Sequence, residues 1–268
     1  MAKQPNYLLI LGFALFAVSF ASIADDAEAR KIMETVDARD NGDNQTAELE
    51  MILIDRKGKQ RIRKMRSMSK DFGKDTKRIM FFIQPADIKN TGLLTYDYDA
   101  SNKDDDQWLY LPALRKSKRI SASDKSGSFM GSDFTYADMS TFDLNDYDYT
   151  LKKEMEIQSI PVWVIESIPS SDDIIDETGY TKSLLFVRKD SHVITRAINW
   201  IKKGKRLKYM EIKSLKLIDN IWTPTEIHMT TKKGKTNIHK TILKFSHVKY
   251  NQNLDENQFS IRQLEKGL

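Results

Sequence analysis

The sequence predicts a mainly β protein built on a single curled antiparallel sheet, and three observations carry that prediction. Residues 45–53 alternate: Ala47, Leu49, Met51 and Leu53 are apolar, with Glu48 and Glu50 between them, the period-two pattern of a half-buried strand. The C-terminal half is a succession of β-rich runs, 180–187, 192–201, 205–217, 221–231 and 236–250, parted by Lys189-Asp190, Lys203-Gly204, Asp219-Asn220 and Lys233-Gly234. Each separator is a tight-turn signal, and strands joined by tight turns are antiparallel neighbours. Residues 79–83 read IMFFI, apolar on both faces, so that strand needs cover on both sides of the sheet. A twisted sheet of roughly ten or more strands tends to curl, and a helix and a long loop over its concave side would enclose an apolar cavity.

The first element lies outside that sheet. After Lys3, an apolar run over residues 7–20 closes with Ala21, Ser22 and Ala24 before Asp25-Asp26, the layout of a signal peptide cleaved after Ala24. The run is shorter than the ~20 residues of a spanning helix. The expected organisation is therefore a leader at 1–24 and one domain at 25–268, exported to the periplasm. The chain has no Cys, which excludes disulfides, thiolate metal sites and an acylated-cysteine leader. The net charge of +5 comes from 43 basic and 38 acidic residues. Nucleic acid is not expected as a partner of an exported chain; anionic headgroups or an acidic partner surface fit the mild basic bias better.

Residues 27–39 read as a helix capped by Asp25 or Asp26, with Ile32, Met33 and Val36 as its apolar stripe and Asn41-Gly42 ending it. Lys57-Gly58 turns the first strand into a basic strand over 60–69, carrying Arg61, Arg63, Lys64 and Arg66. Strands follow over 76–84, 92–98 and 108–111, with a continuation over 117–121 after Pro112. The Asp104-Asp105-Asp106 run before residue 108 lacks the spaced ligands and glycine of a calcium loop and reads as a solvated turn. In the second half, strands over 149–157 and 162–168 precede a polar loop at 170–179 and then the meander. Residues 255–264 read as a short helix or tail pinned to the sheet by Phe259, Ile261 and Leu264.

One stretch does not behave as a connection. Residues 106–139 hold an aromatic strand, then the bases Arg115, Lys116, Lys118 and Arg119, then a Ser/Gly loop loaded with Phe129, Met130, Phe134, Tyr136 and Met139. Connections are usually a few polar residues, and long ordered loops of this kind more often shape a binding site. Within it, 136–139 reads as one helical turn. Trp108 and Tyr110 are candidate cavity wall, Phe129, Met130, Phe134, Tyr136 and Met139 a candidate lid, and Arg115, Lys116 and Arg119 a candidate partner or headgroup contact. No competing catalytic constellation is visible. His192, His228, His239 and His247 fall on separate strands without an H-x-x-x-H pair, although His228 and His239 flank one hairpin and could face each other. No G-x-S-x-G elbow, P-loop or G-x-G-x-x-G is present, and Ser128 and Ser132 read as small residues in a bending backbone. No enzyme activity, metal or cofactor is expected.

Four segments together resemble the LolA-like outer-membrane lipoprotein-sorting proteins: TGLLTYDY at 91–98, WLYLPALRK at 108–116, GSDFTYADM at 131–139 and FSIRQLEKG at 259–267. The likeness is to the branch associated with RND-superfamily exporters of the MmpL type, and it extends over the whole mature chain. It implies an incomplete β-barrel with a helical lid over a hydrophobic cavity. It also implies a periplasmic carrier or chaperone for a lipid or acylated protein, with an inner-membrane RND-type exporter and an outer-membrane acceptor as partners. The alternative is a periplasmic adaptor that docks on such an exporter and carries no cargo.

Overall fold

The computed structural model describes residues 25–100 and 103–268; the expected leader lies outside them. Its strands are β1 (Asn44–Asp55), β2 (Gln60–Phe72), β3 (Asp75–Gln84), β4 (Gly92–Asp97), β5 (Asp106–Leu111), β6 (Lys116–Arg119), β7 (Tyr147–Ile157), β8 (Ile160–Pro169), β9 (Tyr180–Arg188), β10 (Ile194–Ile201), β11 (Leu207–Ile218), β12 (Ile221–Lys233) and β13 (Thr236–Tyr250). All thirteen form one sheet in the order β6-β5-β4-β3-β2-β1-β13-β12-β11-β10-β9-β8-β7. Every ladder is antiparallel, and β6 and β7 remain as unpaired edges, so the sheet does not close into a barrel. The order explains itself. Neighbouring strands are joined by short turns in each half, and one long-range ladder, β1 on β13, joins the halves.

The helices are α1 (Ala27–Asp37), the single turn α2 (Ala122–Lys125), α3 (Asp172–Thr178) and α4 (Ile261–Lys266). Asp26 caps α1 by accepting the Glu28 N–H, and Arg30 ties the helix down by donating to the carbonyls of Leu144 and Tyr147. None of the described helices is long and apolar enough to cross a membrane.

The segment between β6 and β7 touches strands in both halves of the sheet, and the face it covers is the inner one. That face carries the predicted alternating set of β1 together with Met65, Met80, Phe82, Leu93, Met229 and Leu243. Farther along the same face, α1 places Ala29, Ile32 and Met33 against Tyr149, Ile165 and Val187. The outer face of β3–β5 has its own cluster, Ile79, Phe81 and Leu94, closed by Phe259 and Leu264 of the C-terminal segment. The IMFFI strand is thus covered on both sides because its odd and even residues enter two different cores.

Several elements differ from the sequence reading. Residues 170–179 are helical at their centre: the Ser171 hydroxyl accepts the Ile174 N–H, Asp172 and Asp173 occupy the first turn, and Gly179 ends the helix at φ +79°. Those capping signals outweigh a weak apolar pattern. Ile261 does not pin the C-terminal segment; it is 38% exposed, whereas Phe259 and Leu264 are buried. His192 lies in the turn before β10, and His228 pairs across the ladder with Ile242 rather than with His239.

Gly92 is where the outer core is tightest. A Cβ there would lie 2.7 Å from Leu264 Cδ1 and 2.9 Å from Phe81 Cε1. Both residues are fully buried, so Gly92→Ala is expected to destabilise the fold by about 1–3 kcal/mol through overpacking. Urea denaturation checks this, and Leu264→Ala in the same chain should recover part of the loss.

Candidate functional site

The candidate site is the apolar inner face together with the segment that covers it, residues 120–141. Ile120, Phe129 and Phe134 are buried in the inner core, and Met130, Tyr136 and Met139 pack against its margin. Phe129 lies 6.0 Å from Phe82 and 5.6 Å, edge-on, from Tyr136, between ring centroids. Such aromatic pairs add about 0.5–1.5 kcal/mol beyond burial. The backbone reverses at Met130 and Gly131, at φ +49° and +74°. The left-handed region is costly for methionine, and the Arg63 guanidinium holds it there by donating to the Met130 carbonyl at 2.5 Å.

Polar latches tie this cover to both limbs of the sheet. On the N-terminal limb, Arg78 of β3 donates to the Met139 carbonyl, and Gln107 of β5 donates to the Tyr136 carbonyl and the Ser140 hydroxyl. On the C-terminal limb the buried Asp133 carboxylate accepts from Thr231 at 2.5 Å and Thr241 at 2.8 Å, and lies 2.6 Å from His239 Nδ1. Its own N–H donates to Thr241. Next to it the Tyr180 hydroxyl donates to Asp138 and accepts from Lys208 Nζ. Burial, reinforced by Asp138, holds the Tyr180 phenol well above its ordinary range. Burial also pulls the Lys208 ammonium down. A cavity of about 320 Å³ lies where cover and sheet meet, lined by Ser128, Ser132, Tyr180, Arg206, Lys208 and His239 among others.

A second polar cluster supports the cover from below. Lys125 in α2 is buried and pairs with Glu177 of α3 at 2.5 Å. Near them Asp105 is pushed up to about 7, by burial first and by Asp97. Asp146 is pushed up to about 6, by burial and then Asp143.

The predicted site residues do not all meet. Phe129, Met130, Phe134, Tyr136 and Met139 converge on the inner core with Leu109 of β5. Trp108 and Tyr110, one residue to either side of Leu109, point the opposite way and join the outer cluster under α4. Arg115 and Lys116 are exposed at one end of β6, while Arg119 at its other end is bound to Asp106. Asp133, Tyr180, Lys208, Thr231 and Thr241 were not singled out by the sequence. The only local signal was an aspartate set directly between Ser132 and Phe134 in an aromatic loop. Ser132 makes its contacts with Phe134 backbone atoms, as a turn residue does.

A family model described only as that of an uncharacterized protein matches residues 74–266. Among solved structures, a protein of the DUF1329 family from Desulfovibrio piger is 30% identical, with 90% of this chain and 99% of that one covered and a TM-score of 0.82. A domain described as that of an outer-membrane lipoprotein-sorting protein, from Vibrio parahaemolyticus, is 32% identical over 89% and 98% of the two chains, with a TM-score of 0.80. The chain belongs to the DUF1329 family. A LolA-superfamily protein from Nitrosomonas europaea, 19% identical over 88% and 98% of the chains with a TM-score of 0.67, shares the fold. No curated protein matches the sequence significantly. The shared fold fits the open sheet, whose inner face is covered in this chain by α1 and residues 120–141.

Proposed function

We propose that this LolA-like protein is a non-catalytic carrier of the cell envelope that takes an acyl chain of a lipid or lipoprotein onto the inner face of its sheet. On this reading the leader at 1–24 directs it to the periplasm and 25–268 is the carrier domain. The observation that carries the reading is the cover itself. Phe129, Phe134 and Met139 shield an apolar face that runs across both limbs, yet polar latches at the margin hold that cover in place. Displacing it exposes apolar surface, and each methylene buried there contributes about 0.8 kcal/mol. Phe129, Met130, Phe134, Tyr136 and Met139 then act as the lid. Trp108 and Tyr110 act on the outer face, by holding the C-terminal segment. Arg115 and Lys116, both exposed, meet a headgroup or an exporter on this reading, and an inner-membrane exporter or an outer-membrane acceptor is the partner that opens the lid.

Native mass spectrometry of protein isolated from the periplasm tests the reading. Co-purifying acyl lipid is expected, with Phe134→Ala weakening its retention and Trp108→Ala leaving it unchanged at matched stability. A lipid-free protein that also takes up no fluorescent fatty acid would sink the carrier role.

A further inference from the structure

Exposed lysines recur in one pattern at one end of this sheet. Three of its turns carry the same tripeptide: Lys57-Gly58-Lys59 between β1 and β2, Lys203-Gly204-Lys205 between β10 and β11, and Lys233-Gly234-Lys235 between β12 and β13. The ladders put all three at one end of the molecule. Asp55 at the end of β1 lies opposite His239 near the start of β13, and Leu207 at the start of β11 lies opposite Lys232 at the end of β12. In sheet order these are consecutive hairpins, β2-β1, β13-β12 and β11-β10. At about 4.8 Å per strand, the tips recur roughly every 10 Å along the rim.

The six lysines are all exposed, and none has a carboxylate within ion-pair distance among the described residues. Among the acidic groups at this end, Asp55 accepts the backbone N–H groups of Lys57 and Lys59 and Asp176 pairs with Lys202, while Asp87, Asp172 and Asp173 are exposed and are outnumbered by the exposed bases of the rim. The rim continues onto the N-terminal limb with exposed Arg115 and Lys116 beside Leu114, itself 64% exposed. It also holds a shallow hollow floored by Ile62, Ile83, Pro85 and Ala86 and flanked by Lys64 and Lys89. Turns at the opposite end are mixed in sign, with Asp99, Glu154, Asp190 and Asp219 beside Lys74, Lys103 and Lys189, and there Lys74 pairs with Asp99 and Lys189 with Glu154.

We propose that this rim is a docking surface for an anionic membrane, met end-on by the Lys-Gly-Lys turns. A bilayer fits better than an acidic protein because the charges are evenly spaced along an edge and carried on flexible stems at glycine turns. They are also interspersed with exposed apolar groups rather than gathered into a shaped pocket with fixed partners. Docking this way brings the mouth region of the inner cavity toward the lipid, since its lining residues Ile201, Arg206 and Ile238 lie just inward of two of the turns. The inference goes beyond the carrier reading and is tested without cargo.

Sedimentation with phosphatidylglycerol–phosphatidylcholine vesicles tests it against pure phosphatidylcholine vesicles. Binding to the anionic vesicles alone is expected, falling steeply as salt shortens the Debye length from ~10 Å at 0.1 M. Replacing one turn's two lysines by Gln should weaken partitioning by at least tenfold, since each base near the surface contributes about 1 kcal/mol and 1.4 kcal/mol is tenfold. Lys74→Gln, Lys103→Gln and Lys189→Gln together, at the opposite end, should leave it intact. Equal binding to neutral vesicles, full binding by the six-lysine Gln variant, or capture of an acidic protein without vesicle binding overturns the proposal. Acyl-chain retention by that variant, read by native mass spectrometry, should match the parent. A parent protein that binds anionic vesicles but retains no acyl chain would count against the carrier reading instead.

Discussion

Asp133→Ala is expected to lower the stability of the protein by about 1–3 kcal/mol, the range for leaving buried donors without their acceptor, and to loosen the cover over the inner face. The carboxylate is buried, and three donors from β12 and β13 converge on it: Thr231, Thr241 and His239. Alanine leaves those donors without their acceptor, and the cost of a stranded buried group exceeds the worth of the bond it made. Asp133→Asn keeps one acceptor oxygen but turns a donor toward a donor, so a smaller loss is expected. Urea denaturation measures the stability. The functional half needs a second reading, the uptake rate of an environment-sensitive fatty acid well below the unfolding transition. If the segment is a lid, uptake in Asp133→Ala rises several-fold while the protein remains globally folded. If it is fixed core, uptake only tracks the unfolded fraction.

How much of this was legible beforehand depends on the range of the interaction. Period and turn chemistry are local, so the meander, the alternating β1 and the Lys-Gly hairpins could be read directly. The two-faced burial of Ile79–Phe82 followed from composition alone. The facing of β5 could not be read that way. Trp108 and Tyr110 look like partners of Phe129 in a linear reading, but a strand turns successive side chains to opposite faces, and the ladder with β4 places Leu109 inward. The apolar residues of the loop announced the cover. Its latches did not announce themselves, because Asp133 meets residues about a hundred positions away, and no local pattern encodes a contact of that kind. The basic strand had a similar limit. Arg115 and Arg119 are four residues apart in sequence, but β6 carries them to opposite ends of a short strand, one free at the rim and one paired with Asp106.

The second large effect is expected at Lys125, and it depends on pH. Its ammonium is buried against Glu177, and it is the cation that lowers the cost of keeping Asp105 and Asp146 ionised nearby. Both carboxyls are raised in the folded protein, Asp105 to about 7 and Asp146 to about 6, from 3.8. The folded state therefore binds more protons than the unfolded chain between those limits. Stability is greatest at the acid side of this window, falls as pH rises through 6 and 7, and levels off above. Lys125→Met keeps the length of the stem but removes the charge, leaving Glu177 without its partner and pushing both aspartates higher still. A loss of about 3–5 kcal/mol is expected at pH 8, where Asp105 and Asp146 are ionised in the parent, and a smaller one at pH 5, where both are protonated. Urea midpoints at the two pH values measure the difference. Glu177→Gln in the same chain should restore the part of the loss that comes from the stranded Glu177 partner and leave the pH-dependent part that comes from Asp105 and Asp146. An equal loss at both pH values would assign the role of Lys125 to the packing of its aliphatic stem beneath the cover, and not to its charge.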